Sequence, residues 1–149
     1  PSLAGTYSVT VKVSDGKTTT EQSAALTVTS AGSTTNINGT AFFPAGVSGD
    51  LSNAKVSIYT TLDNWAENTP IKFIGTIGSG SSVSFSLTNV LPGNYYLDVW
   101  KDIDNNAFWS KGDFVGWYGA GGLGSPNLTE LQIIQGQTLN VSVQMYIKP

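Results

Sequence analysis

Three of the seven aspartates in this chain, Asp102, Asp104 and Asp113, fall within twelve residues. With Asp102 as position 1, oxygen-bearing side chains occupy positions 1, 3 (Asp104), 5 (Asn106), 9 (Ser110) and 12 (Asp113). The main-chain carbonyl of Phe108 supplies position 7. Alternate residues of a tight coil turn their oxygens toward one centre, and a shell of carboxylate, amide, hydroxyl and carbonyl oxygens suits a hard cation of the size of calcium. The chain has no Cys and no His. That removes disulfides, the usual zinc and copper ligands, and Ser-His-Asp or Cys-His catalysis. Ca2+ is therefore the expected cofactor, held by oxygen alone.

The segment from Lys101 to Asp113 resembles an EF-hand loop in its ligand spacing, but its flanks are not helices. Tyr95 to Trp100 alternates as a strand, and Gly112, Gly116 and Gly119 would weaken a helix beyond it. The closer likeness is to EF-like loops carried on β-scaffolds. Position 6, normally Gly because the chain needs φ > 0 there, is Ala107. Position 12 is Asp113 rather than Glu, whose longer arm binds through two oxygens. Both departures place the expected affinity on the order of 10⁻⁴ to 10⁻³ M, a calcium level met outside cells. The competing reading is that Asp- and Asn-rich segments make good turns without an ion. Against it, three carboxylates would repel one another there, with Lys101 and Lys111 offsetting only part of the charge. The expected role of the ion is to pin a loop that is otherwise costly to order.

Trp100, Phe108, Trp109, Phe114, Trp117 and Tyr118 crowd the same region. Exposed rings could stack on sugar faces, which would make Trp100, Trp109, Trp117 and Tyr118 ligand-stacking residues and polysaccharide a partner. The favoured alternative is that the loop folds back and its rings form a satellite core, anchoring the glycine-rich stretch from Gly116 to Gly124. Catalysis is not expected. Acid pairs such as Asp63 and Glu67 exist, and two carboxylates suffice for glycoside hydrolysis, but nothing in the sequence places them in a cleft.

The elements that must position these residues are strands. Of 149 residues 40% are hydrophobic but only 11% charged, so a core can form beneath a surface of Ser, Thr, Asn, Gln and Gly. That profile is typical of extracellular β-modules, either secreted or at the cell surface. The net charge is −3, with seven Lys, no Arg and no basic run, which excludes nucleic acid as an expected partner. No apolar stretch approaches the roughly 20 residues that span a bilayer, so membrane insertion is not expected. The chain opens at Pro1 rather than Met and reads as a mature or excised piece, so the lack of a leader carries no information.

Period-2 alternation predicts strands over Tyr7–Val13, Ala24–Val28, Ile37–Phe43, Ala54–Thr60, Ile71–Ile77, Val83–Leu87, Tyr95–Trp100, Leu131–Ile134 and Leu139–Ile147. Turn signals at Asp15-Gly16, Ser79-Gly80, Pro92-Gly93 and Gly136 separate several of them. Leu62 to Asn68 is the only helical stretch, and it is short. The expected fold is all-β.

Residues 1–30 form a hairpin whose run Ala4 to Gly16, followed by Leu26-Thr27-Val28, resembles the last two strands of bacterial immunoglobulin-like or cadherin-like repeats. A Ser/Gly/Thr linker follows over 31–35. The alternative is that the hairpin supplies ordinary strands to the main sandwich. A lone hairpin is marginal, so it is expected to pack on the second domain or to pair with another copy of itself. Residues 36–149 resemble the carboxypeptidase regulatory-like domain. The matching pieces are Ile37-Asn38-Gly39, Asn53 to Ile58, Val83 to Leu87, Leu91 to Leu97 and Ile134 to Val141. The resemblance implies a seven-stranded Greek-key β-sandwich of prealbumin/Ig-like type, with the N-terminal hairpin as an extra. It also implies an accessory or adhesive module whose partners are neighbouring domains, another protein or polysaccharide.

Overall fold

The computed structural model describes residues 5–28 and 34–149. The chain divides into two compact units, 1–33 and 34–149, and each is described by itself. Residues 31–33 of the expected linker lie outside the described residues. Thr35, counted in that linker, belongs to the second unit and is buried. Its carbonyl accepts from the Val90 amide at 2.9 Å, and its hydroxyl accepts from the Gly136 amide at 2.8 Å.

The first unit is an antiparallel hairpin of β1 (Gly5–Ser14) and β2 (Thr19–Val28). Asp15 makes its turn: Oδ1 accepts from the Lys17 and Thr18 amides at 2.9 and 2.7 Å. The Thr18 amide, followed by that of Lys17, holds the carboxyl below its ordinary pKa. Gly16 takes the left-handed φ of 87° that follows. Tyr7, Val9, Val11 and Val13 share one face as the alternation predicts, and they are 45–67% exposed.

The second unit is all-β. Its seven principal strands are β3 (Asn36–Phe42), β4 (Lys55–Tyr59), β5 (Lys72–Gly75), β6 (Ser82–Leu87), β7 (Gly93–Lys101), β8 (Phe114–Trp117) and β12 (Thr138–Ile147). Short pieces β9 (Gly119–Ala120), β10 (Asn127–Leu128) and β11 (Leu131–Ile133), with helix α1 (Leu62–Ala66), complete it. The pairing order is β5-β4-β7-β8-β12-β3-β6. It forms a Greek-key sandwich of two layers, β5-β4-β7-β8 and β12-β3-β6. The last strand joins the layers: residues 138–144 run parallel to β3, and 145–147 run antiparallel to β8. An isolated bridge between Ile77 and Ser84 ties the segment after β5 to β6.

The inward faces of both layers form one core. β7 contributes Tyr95, Leu97 and Val99, β4 contributes Val56 and Ile58, and the other layer contributes Ile37, Ala41, Val83, Phe85, Val141 and Val143. Gly39 lies on the same face as Ile37 and Ala41, opposite Phe85, and its missing side chain makes room for that ring. A Cβ there would stand 2.7 Å from the Val141 carbonyl oxygen and collide with the Phe85 ring. Because main chain cannot yield as a flexible side chain does, Gly39→Ala is expected to destabilise the unit by about 1–3 kcal/mol, read as a lower urea midpoint.

β8 departs from the sequence expectation. Phe114–Trp117 lies outside every strand that the alternation predicts, with Gly116 and Trp117 in the glycine-rich stretch, yet it forms a central strand between β7 and β12. Gly116 permits it, because a Cβ would lie 2.5 Å from the Gln144 carbonyl oxygen of β12. The strand is only four residues long and half of it is Gly116 and Trp117, so alternation could not reveal it.

Candidate metal centre

The acidic segment connects β7 to β8, which pair antiparallel with Lys101 opposite Phe114. This pairing sets the first and last residues of the loop, Asp102 and Asp113, side by side without flanking helices. One carboxylate oxygen each from Asp102, Asp104 and Asp113 lies within 4.8 Å of the others. Ser110 Oγ joins them, donating to Asp104 Oδ2 at 3.1 Å. The far end is tied to β12, where Lys148 donates its amide to the Asp113 carbonyl at 2.8 Å and accepts from the Gly112 amide at 2.9 Å.

Asp102 organises the coil as a position-1 acid would. Its Oδ1 accepts from the Asn106 amide at 3.2 Å, and its Oδ2 accepts from the Ala107 amide at 2.8 Å. Partial desolvation opposes its ionisation, but these amide bonds outweigh it and hold the carboxyl below its ordinary pKa. Ala107 has φ = 64°, the left-handed conformation that position 6 demands and an L-residue resists at about 1–2 kcal/mol. Ala107→Gly is therefore expected to raise the unfolding free energy by about 1 kcal/mol in chelator, part of the relief being offset by glycine's greater unfolded-state entropy. Urea unfolding measures it, and a less stable variant would mean that the loop does not need this φ.

Asp113 is fully buried and already well bonded. Oδ1 accepts from the Ile103 amide at 2.9 Å, while Oδ2 accepts from the Ser110 amide at 2.9 Å and from Trp100 Nε1 at 3.2 Å. A carboxylate has about four acceptor sites, so Asp113 has room for an ion through one oxygen, not through two. Asn106 turns Nδ2 toward Asp104 Oδ2 at 2.8 Å, and its Oδ1 accepts from the Phe108 amide at 2.7 Å. That leaves Oδ1 a second lone pair through which it could bind an ion without rotating. Phe108 is placed at position 7 by the same bond. The loop lysines do not balance the acids: Lys101 Nζ donates instead to the Asp50 carbonyl at 2.7 Å, and among the described residues Lys111 makes no ion pair. Asp50 itself is drawn down to about 2 by bonds from the Ser52 hydroxyl and then the Gly80 amide.

The aromatic residues form a second, smaller core on the outer face of β7 and β8. Trp100, Val115, Trp117 and Leu128 are buried, with Trp65, Tyr96, Trp109 and Tyr146 half-buried around them. Trp117 stacks on Tyr146 at 5.3 Å and donates Nε1 to the Ala120 carbonyl. Of the expected stacking residues, Trp100 and Trp117 thus have their faces covered, Tyr118 packs against the main core, and Trp109 meets Trp65 edge-to-face at 5.6 Å.

Two residues of this region escaped the sequence reading. Trp65 lies on α1, a helix of one turn capped by the Thr61 hydroxyl. Asp98 sits on the outer face of β7, 3% exposed. It accepts from Trp65 Nε1 at 3.1 Å and from the Tyr59 hydroxyl at 3.3 Å. Burial pushes its carboxyl up to about 7, against the opposing bonds from Tyr59 and Trp65 and the charge of Lys55. Asp98 alternates with the core residues Leu97 and Val99 and so points to the outer face, which is an interior only because α1 and the loop cover it.

No protein-family model, curated protein or solved structure matches the chain.

Proposed function

We propose that residues 34–149 are a non-catalytic structural module of a larger secreted or cell-surface protein, stabilised by one calcium ion in the loop from Asp102 to Asp113. The observation that carries this reading is the convergence of Asp102, Asp104 and Asp113 around a coil whose sixth position takes φ = 64° without being Gly. A plain turn has no need to gather three acids while its lysines turn elsewhere. Ser110 completes the oxygen set, and Asp113 offers a single oxygen, which favours weak binding and a fixed structural ion over a sensor. The low charge content and hydroxyl-rich surface support an extracellular setting, where calcium is abundant enough to fill such a site. The two-layer sandwich supports the likeness to regulatory-like accessory domains. Thermal unfolding in calcium and in chelator tests the reading, and an unchanged midpoint would overturn it.

A further inference from the structure

The acidic loop and α1 face each other across a cleft of about 420 Å³, within the roughly 300–1,000 Å³ of small-molecule sites. It is lined by Phe108 and Trp109 of the loop, by Trp65 of α1 and, at its base, by Asp98 and Trp100 of β7. The walls are rigid where it matters: Trp65 is fixed by its bond to Asp98 and by its edge-to-face contact with Trp109. Phe108, by contrast, is 75% exposed at the rim, a placement that gains nothing for folding. Polar groups stand among the rings. Glu67 and Asn68, just past the end of α1, also line the cleft. Asn68 Oδ1 accepts from Lys55 Nζ at 3.4 Å, which leaves its Nδ2 hydrogens for the cleft.

We propose that this cleft binds a neutral saccharide, with pyranose rings lying against Trp109 and Phe108 and their hydroxyls bonded to Asn68 and Glu67. Aromatic faces interspersed with amide and carboxylate groups match a ligand that is apolar on its C–H faces and polar at its edge. The same rings and carboxylates could box an organic cation, but the floor argues against one. Lys55 Nζ stands 5.9 Å from the Trp100 ring beneath it, and its charge opposes a second cation there. Binding in the cleft does not require the ion.

The test is a titration of the whole chain with xylo-, cello-, malto-, manno- and chito-oligosaccharides, and with tetramethylammonium, followed by tryptophan fluorescence and amide chemical shifts. At least one oligosaccharide series is expected to bind, shifting amides of residues 65–68 and 107–109. Trp109→Ala and Phe108→Ala, shown folded by their amide dispersion, are each expected to weaken that binding by about tenfold or more. Binding of tetramethylammonium with none of the sugars would overturn the proposal. So would the failure of every series, or sugar binding that both folded variants retain unchanged.

Discussion

In calcium at about 10 mM, residues 34–149 are expected to unfold some 5–15 °C above their midpoint in chelator. The size follows from mass action. A site with a Kd of roughly 10⁻⁴ to 10⁻³ M, at 10 to 100 times that concentration of ion, adds about 1.4–2.7 kcal/mol to the folded state. Asp102→Ala should abolish the shift, because it removes both a ligand and the acceptor that gathers the Asn106 and Ala107 amides. Asp102→Asn separates the two roles. It keeps one of the two acceptors of the coil but loses the charge, so its chelator midpoint should fall less than that of Asp102→Ala while most of the calcium shift disappears. A full shift in Asp102→Ala would place the ion elsewhere.

The second large effect concerns pH. The Asp98 carboxyl titrates at about 7 in the folded state but near its ordinary value in the unfolded chain, so the folded state holds the extra proton between those limits. Its contribution to stability is complete below about pH 4 and is lost as pH rises through 7, for a total of about 4 kcal/mol. Asp15, Asp50 and Asp102, all depressed, act in the opposite sense and lose their contribution as pH falls through their low folded-state values. Stability should therefore peak on the acid side of neutrality. Asp98→Asn should remove the decline between pH 4 and 8 and leave the variant more stable than its parent at pH 8. Urea unfolding in metal-free buffer at pH 4, 6 and 8 measures this. If the parent and the variant decline alike, Asp98 is not the group responsible.

Most strands of the sandwich could be read from the sequence because apolar residues alternate with polar ones along them, and that periodicity survives in a single chain. The acidic cluster could be read because Asp102, Asp104 and Asp113 are spaced along one short segment. The surroundings of Asp98 could not. Lys55, Tyr59, Trp65, Asn68 and Asp98 are brought together by the β4–β7 pairing and by a one-turn helix, and no local pattern marks residues that meet only through register. β8 was hidden for a related reason. Its glycine serves a close approach to β12, which looks in sequence like loop composition.

β3 and β12, which open and close the second unit, run parallel in register from Asn36 opposite Thr138 to Phe42 opposite Gln144. Tension applied at the two ends of the unit would pull one strand back along the other, so the hydrogen bonds of the ladder would bear the load together. An antiparallel pair pulled from one end would instead open one bond at a time. Resistance to stretching is a property of the unfolding barrier, not of equilibrium stability. The register therefore lets the unit hold together under a pull across its two ends even where its equilibrium stability is modest.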